Sequence, residues 1–432
     1  MYEEFIKTLN LEKLGLQIKD FYVYKNNENS IFYDITFQEK SRSCIYCGFD
    51  NNTIIQGYRT KKITHSISNV NKVFIILRQR RYYCKNCNMT FVESNPLVLK
   101  NKNVSKLTDI NILKTLKDHT RTFKSVADQF YVSQEYVINL FDKAVDPYRG
   151  SFKEVVCIDE FYIGKSFTHK YACTFLDFHS SKIIDIISSR HKNHLFDYLD
   201  KIPKIERNNV KYVVIDMWDT YKSVSEIFFR NAKIAVDSFH VIEHLNDAMD
   251  KIRVRIMKDW DKRTNKLVDN DIYYYMLKKF HYFFTKDYEK IYEGLIDIPK
   301  TKNKWFKSEI LSYLLDIDPR LKEAYYLKEK YREFNLTARY DTCDEEFEDL
   351  ITELRFSNLP EFNEFAKLLI HWKQEIKNSF IIHEGKRLSN ASIEGINSQI
   401  KTIIKTSNGI RSFSRLRAKA MYSINKNIPF RL

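Results

Sequence analysis

The sequence of 432 residues lacks any uninterrupted apolar run near the ~18 residues that a membrane-spanning helix needs. Its first residues, Met1–Lys7, include two acids and lack the apolar core of a signal peptide. Its cysteines are few and odd in number, seven, which does not fit the disulfide framework of a secreted protein. These absences predict a protein of the reducing cytoplasm with no membrane partner.

The chain is rich in hydrophobic and basic residues. Hydrophobic residues make up 44% and aromatic residues 15%, too many for a disordered chain. The length allows about two to four domains. Lysine and arginine total 71 against 56 acids, and the formal charge of +15 favours polyanionic partners, most commonly nucleic acid. Ribosome-like or membrane-surface binding is the alternative interpretation of that charge.

Four of the cysteines form two Cys-x-x-Cys pairs, Cys44 with Cys47 and Cys84 with Cys87. Each pair points two thiolates at one ion, and two pairs complete the sulfur tetrahedron of a structural Zn²⁺ site. Because 36 residues separate the pairs, we expect a β-hairpin that includes the apolar run at 72–78 to bring them together. A set of free cysteines is the alternative.

Apolar spacing predicts a helix over 106–120 and then a helix-turn-helix over 122–141, in which Ser133 caps the second helix. A helical hairpin that binds no DNA, and a solvated face for the basic strand beside the cysteines, are the alternatives. In this part of the chain we expect Gln134, Glu135 and Tyr136 to enter a groove of the DNA. We expect Arg80 and Arg81 to contact the DNA phosphate backbone.

Two apolar, β-branched runs predict buried strands that each deliver an aspartate, Asp159 and Asp216. A buried carboxylate is costly unless a cation meets it, so we expect a metal ion or a cationic partner nearby. Capping of the next turn is the alternative for either residue alone.

A third acid, Glu394, begins a predicted helix whose same face continues with Asn397, Lys401 and Lys405. Arg411 extends this positive charge. An acid beside phosphate-binding cations suits nucleic-acid chemistry, so these four residues join the predicted DNA contacts.

The order of elements after residue 151 is three strands in a meander, then helix, strand, helix and strand, which is that of a ribonuclease-H-like α/β domain. Residues 241–380 are predicted to be a helical insertion whose aromatic residues are mostly core, with the acidic run at 344–349 as a solvated helix face. The predicted domains are a zinc-binding β module (1–100), a helix-turn-helix (101–150), the α/β catalytic domain (151–240 and 381–432) and a large all-α insertion (241–380).

The chain resembles the DDE transposases of bacterial insertion sequences, specifically the ISL3 family, in four motifs that occur in the same order. The motifs are Ile158-Asp159-Glu160-Phe161, Ile215-Asp216-Met217-Trp218 with Tyr221, Asp237-Ser238-Phe239-His240, and Ser389-Asn390 through Glu394 to Asn397. The cysteine-containing module, with Arg80-Arg81-Tyr82-Tyr83-Cys84, resembles the zinc-binding domain of that family.

The resemblance implies an enzyme that binds the terminal inverted repeats of its insertion sequence and cuts and transfers DNA strands. It implies that Asp159, Asp216 and Glu394 hold two Mg²⁺ (or Mn²⁺) ions, with Asp237 and His240 in support. Double-stranded DNA ends and target, a homodimer or higher oligomer, and the nucleoid of a bacterial cytoplasm are the implied partners and location. A catalytically inactive DNA-binding regulator and a related ribonuclease-H-like nuclease are the alternatives.

Overall fold

The computed structural model describes residues 9, 11, 18–25, 30–39, 43–50, 52–66, 72–261, 272–286, 291, 294–407 and 410–432. The chain divides into two compact units. The first unit comprises Met1–Arg149, Ser166–Thr168 and Ser398–Leu432, and the second comprises Gly150–Lys165 and His169–Asn397. In the described parts of the chain, no helix is both long and apolar enough to span a bilayer.

The first unit contains a mixed sheet built around one long strand, β4. Its strands are β1 (Ile18–Lys25), β2 (Ser30–Phe37), β3 (Thr53–Thr64), β4 (Lys72–Cys84) and β5 (Thr90–Val92). β4 pairs in parallel with β2 and antiparallel with β3 and β5. Alternate residues of β4, such as Val73, Ile75 and Leu77, are buried, as expected for a sheet with one covered face.

The β3–β4 pair confirms the hairpin predicted between the two cysteine pairs. Thr53, the first residue of β3, pairs with Cys84, the last residue of β4, at the open end of this hairpin. The start of β3 therefore lies beside the second cysteine pair. A turn follows the first cysteine of each pair, with the Gly48 and Asn88 amides donating to the Cys44 and Cys84 carbonyl oxygens. Gly48 (φ 70°) and Asn88 (φ 58°) adopt the left-handed conformation that glycine and asparagine tolerate best.

A helical core completes the first unit. It contains α1 (Lys106–Thr115), α2 (Phe123–Phe130), α3 (Gln134–Ala144) and the C-terminal helix Phe413–Asn425. The Ser133 hydroxyl accepts a hydrogen bond from the Tyr136 amide, which confirms the predicted cap of α3. The apolar side chains of α2 and α3, including Val126, Phe130 and Val137, are buried.

The second unit is organised on a sheet with the strand order β10-β9-β6-β7-β8. Its elements are β6 (Val155–Tyr162), β7 (Tyr171–Asp177), β8 (Lys182–Ile187), α4 (Lys192–Asp200), α5 (Lys204–Asn208), β9 (Tyr212–Ile215), α6 (Asp219–Phe228) and β10 (Lys233–Val236). β6, β7 and β8 form an antiparallel meander, and β9 and β10 continue the sheet in parallel. The predicted order of strands and helices is found with one addition, the short helix α5 before β9, and β6 and β9 are neighbours.

The segment after β10 is mainly helical, as predicted. Its elements are α7 (Ser238–Asp259), α8 (Ile272–Lys279), a 3₁₀ turn (His281–Phe283), β11 (Leu295–Ile298), β12 (Asn303–Phe306), α9 (Lys307–Asp316), α10 (Pro319–Thr337), α11 (Asp344–Phe356), α12 (Pro360–His371) and α13 (Lys373–Asn378). Phe280, Phe283 and Phe284 are buried, and the acids at 344–349 are exposed on α11. The β11–β12 hairpin is a difference from the all-helical prediction, and α7 begins before the predicted boundary at residue 241.

The last elements are a hairpin, β13 (Ile382–His383) with β14 (Lys386–Arg387), and the helix α14 (Ala391–Thr406). Residues from Ser398 onward group with the first unit, whereas the predicted division assigned all of 381–432 to the catalytic domain. The physical reason is that Tyr422, Ala418 and Ile410 pack into the helical core of the first unit. The division into domains stays a prediction.

Candidate functional site

The sheet of the second unit brings two predicted acids together. Asp159 lies within β6, Asp216 directly follows β9, and these strands are paired. One carboxylate oxygen each from Asp159, Glu160 and Asp216 lies within 4.8 Å of the others. Asp159 is only 9% exposed. Burial and then the negative charge of Asp216 raise the pKa of Asp159 to about 8.

Asn397, from α14, holds Asp159 in place. The Asn397 side-chain amide donates a 2.7 Å hydrogen bond to Asp159 Oδ2, and the Thr174 hydroxyl on β7 donates at 2.9 Å to Asn397 Oδ1. Asn397 is 2% exposed. This is a correction: a side chain this buried is unavailable to DNA, so Asn397 positions an acid instead of contacting a phosphate.

A second group of possible ligands lies beside the first. It combines Asp237 at the end of β10, His240 in α7 and Glu394 in α14, with one ligand atom from each within 4.8 Å. His240 Nε2 lies 2.7 Å from Asp216 Oδ1, which links the two groups. Burial alone would lower the pKa of His240, but the hydrogen bond to Asp216 and the surrounding acids raise it to about 9. Burial and Asp237 raise the pKa of Glu394.

Two buried oxygens in this second group have no hydrogen-bond partner among the described residues. They are Asp237 Oδ2 and Glu394 Oε1. Buried carboxylate oxygens without donors are costly, and a cation satisfies them. The donor set of the two groups is almost entirely carboxylate oxygen, the hard ligand type that Mg²⁺ and Mn²⁺ prefer.

Glu160 is occupied by its own partners. Arg190 Nη1 lies 2.5 Å from Glu160 Oε1, and the buried Tyr221 hydroxyl donates to Glu160 Oε2 at 2.7 Å. The Arg190 guanidinium also stacks over the rings of Tyr171 and Trp218, at 4.2 and 5.1 Å from their centroids. Sequence reasoning missed Arg190, which follows β8 in a loop with no pattern to mark it.

The four paired cysteines of the first unit converge. The Sγ atoms of Cys44 and Cys87 are 3.6 Å apart and those of Cys47 and Cys84 are 3.7 Å apart. A Zn–S bond of ~2.3 Å gives a tetrahedron with edges of about 3.8 Å, so the spacing fits one zinc ion. Hydrogen bonds from the Phe49 amide and the Asn86 side chain lower the pKa of Cys47 to about 6, which favours the thiolate that zinc requires.

The remaining predicted DNA contacts differ in exposure. Those on the surface are Arg81, Gln134, Glu135, Lys401, Lys405 and Arg411. The Tyr136 hydroxyl donates at 2.7 Å to Asp109, so that end of the side chain is already paired.

The DNA-backbone contact predicted for Arg80 is also wrong. It is 3% exposed, pairs with Glu93 at 2.8 Å and donates to the Phe37 carbonyl oxygen, so it stabilises the sheet and does not face a ligand.

Comparison with known protein families gives two matches. A family model described as "Transposase", of the ISL3 group of DDE transposases, matches residues 156–420, more than half of the chain. A model described as "zinc-finger of transposase IS204/IS1001/IS1096/IS1165" matches residues 40–87. No curated protein matches the chain. The first match includes the acids of both ligand groups, and the second includes all four paired cysteines.

Proposed function

The chain belongs to the ISL3 family of transposases, and from that premise we propose that it binds the terminal inverted repeats of its insertion sequence and cuts and transfers their strands. The observation that carries the proposal is the pair of Asp159 and Asp216 on neighbouring strands, with Glu394 joined to them through His240. We propose that these three acids are the catalytic triad. The sheet order, with a meander followed by two parallel strands, supports a ribonuclease-H-like fold.

The residues around the triad fit two divalent ions. Asp159 and Asp216 offer oxygens to one ion, and Glu394 with Asp237 offers the unsatisfied buried oxygens to the other. The chemistry that Mg²⁺ supplies when bound there is activation of the attacking water or DNA 3′-hydroxyl and stabilisation of the leaving oxygen. The protein contributes by fixing the ligands: Asn397 orients Asp159, and His240 orients Asp216.

DNA binding is proposed for elements of the first unit. α2 and α3 meet at Tyr131, whose φ of 56° produces the tight turn of a helix-turn-helix, and the start of α3 exposes Gln134 and Glu135. The zinc ribbon exposes Arg81, and α14 exposes Lys401 and Lys405 for phosphate contacts. Pairing of two DNA ends further predicts a homodimer or higher oligomer acting on nucleoid DNA.

The test is cleavage of DNA that carries the element's own ends, in the presence of Mg²⁺. Asp159→Asn, Asp216→Asn and Glu394→Gln should each lower the cleavage rate by about a thousandfold, because metal stabilisation of the transition state is worth several kcal/mol. Each variant should bind the ends as tightly as the unaltered protein. Glu345→Gln, which changes an exposed acid of α11, is the matched control and should cut normally.

Normal cutting by any of the three variants would remove that acid from the triad. If the unaltered protein binds its ends but never cuts them, a DNA-binding regulator is the better interpretation.

A further inference from the structure

A third cluster of possible metal ligands lies in the second unit, at the other end of β6 from the two acid groups. Asp177, the last residue of β7, pairs with Val156 near the start of β6, and the β7–β8 turn that follows carries His179. The β13–β14 turn carries His383 and Glu384. One ligand atom from each of His179, His383 and Glu384 lies within 4.8 Å of the others.

Both turns are tight and fix these side chains. In the β13–β14 hairpin, the two central residues Glu384 (φ 48°) and Gly385 (φ 77°) have the positive φ angles of a type I′ turn. The β7–β8 turn includes Ser181 at φ 52°. The His383 ring also packs edge-on against Tyr212, with the centroids 5.2 Å apart. The two imidazoles are therefore held by regular backbone and not by a long loop.

The two histidines bring one ring nitrogen each to the same point. His179 Nε2 and His383 Nδ1 face each other at 2.8 Å. Their other nitrogens face carboxylates, His383 Nε2 at 3.2 Å from Glu154 and His179 Nδ1 at 3.4 Å from Glu384. The hydrogen on His383 Nε2 faces Glu154, so His383 Nδ1 presents a lone pair toward His179. His179 Nε2 either donates its own hydrogen to that lone pair or presents a second lone pair to a bound cation.

We propose that this cluster binds a zinc-class divalent transition metal through His179 Nε2 and His383 Nδ1. The exposed Glu384 carboxylate turns from the Nδ1 side of His179 to become the third ligand, and water is the fourth. Imidazole nitrogen with one carboxylate is a donor set that suits zinc, and it differs from the carboxylate set of the acid groups. A tetrahedral ion with Zn–N bonds of about 2.0–2.1 Å places two ligand nitrogens about 3.4 Å apart. The 2.8 Å distance between His179 Nε2 and His383 Nδ1 therefore has to increase by about 0.6 Å when the ion binds.

The surroundings of the cluster support this assignment. Glu154 accepts from the far side of His383, which is the carboxylate–histidine–metal arrangement that orients ligating imidazoles. Glu154 is itself paired with Lys211 at 2.8 Å. An ion bound here joins the β7–β8 turn to the hairpin that directly precedes α14, the helix that carries Glu394. The proposed ion therefore has a structural role, linking two turns, and its site is distinct from the acids proposed for catalysis.

The experiment measures zinc bound to the full-length protein by elemental mass spectrometry, after zinc supplementation and gel filtration in excess Mg²⁺, which keeps zinc off the carboxylates. We expect two zinc ions per chain in the unaltered protein and one in the His179→Ala/His383→Ala double variant. His281→Ala changes an exposed histidine of the same unit and should retain two. Asp216→Asn should also retain two, because its carboxylate belongs to the other site.

Cobalt(II) substitution separates the sites without relying on one variant. Cobalt bound by the four thiolates gives an intense charge-transfer band, whereas cobalt bound by imidazole and carboxylate gives only weak visible bands. We expect the double variant, and the milder His383→Gln, to lose the weak bands and keep the intense one. A single zinc in the unaltered protein, or two in the double variant, would overturn the proposal and leave a hydrogen bond between the two imidazoles. Either result leaves the proposed transposition chemistry unaffected.

Discussion

The four-cysteine site of the first unit and the acid site of the second unit differ in the size of the apolar core beside them. Around the cysteines, the buried apolar cluster of the described residues contains little beyond Cys44, Tyr82, Cys84 and Phe91, while Ile45 is 69% exposed. The acids lie on a continuous core that extends from Phe152 to Phe380. Where the core is small, the metal holds the fold together; where the core is large, the fold holds charged ligands ready for a metal.

We expect the largest effect on this contrast from the loss of zinc from the four-cysteine site. Cys84→Ser should abolish amide-exchange protection at the cysteine end of the sheet, in the first residues of β3, the last residues of β4 and in β5, and should leave β6 and β7 protected. The reason is that structural zinc contributes about 10–16 kcal/mol in small zinc-binding peptides. Hydrogen exchange read by mass spectrometry reports both regions in one measurement. Cys343→Ala changes a buried cysteine of the helical segment and is the control. Protection at the cysteine end of β3 and β4 that survives zinc loss would show that the small core there is sufficient.

An intermediate effect is expected from Asn397, which tests whether the acid site is held ready by its neighbours. Asn397→Ala removes the amide that donates to Asp159 and should reduce cleavage about 10- to 100-fold with end binding unchanged, as is typical for residues that orient metal ligands. Lys401→Ala, on the exposed side of α14, should do the reverse. It should weaken DNA binding and reduce the slope of log K against log salt concentration by about one, and cleavage at saturating DNA should be normal. An Asn397→Ala protein that binds poorly but cuts normally when saturated would contradict this assignment.

The last comparison is between one buried lysine from each unit. Lys419 in the first unit donates to the carbonyl oxygens of Leu116 and Asp118, and burial lowers its pKa to about 7. Lys328 in the second unit has a carboxylate partner, Glu329, at 2.5 Å, and burial lowers its pKa too. The pairing with Glu329 retains the proton on Lys328 more strongly than carbonyl oxygens do on Lys419.

The sign of the pH dependence follows from proton binding. Between the folded pKa of about 7 and the ordinary lysine value of 10.5, the unfolded chain holds a proton on Lys419 that the folded chain has released. The free energy of unfolding should therefore rise with pH across this window, by at most about 1.4 kcal/mol per pH unit. Lys419→Met should abolish the rise in unfolding experiments run from pH 7 to 10, and Lys328→Met should change the slope less. An unchanged slope in Lys419→Met would place the titration elsewhere.

Much of the architecture is readable from local patterns in the chain. Alternation and apolar runs predicted β4, β6 and β9, the Cys-x-x-Cys spacing predicted the sulfur site, and Ser133 predicted the start of α3. These patterns succeed because each depends on a few neighbouring residues: the pleat of a strand, the turn between two cysteines, the cap of a helix. The β11–β12 hairpin was missed because Leu295–Ile298 and Asn303–Phe306 are short and mostly exposed, which leaves little periodicity.

The sequence by itself determined most of the elements, the zinc ligands and the two aspartates, of which one lies within β6 and the other directly follows β9. Only the tertiary structure decided that Asn397 serves Asp159, that Arg190 serves Glu160, that Arg80 is buried in an ion pair, and that His179 meets His383. Most of these contacts join residues that are far apart in sequence, and His179 and His383 come from separate hairpin turns. Their proximity depends on the order and register of strands, which is set by the packing of the whole core and leaves no local pattern in the chain.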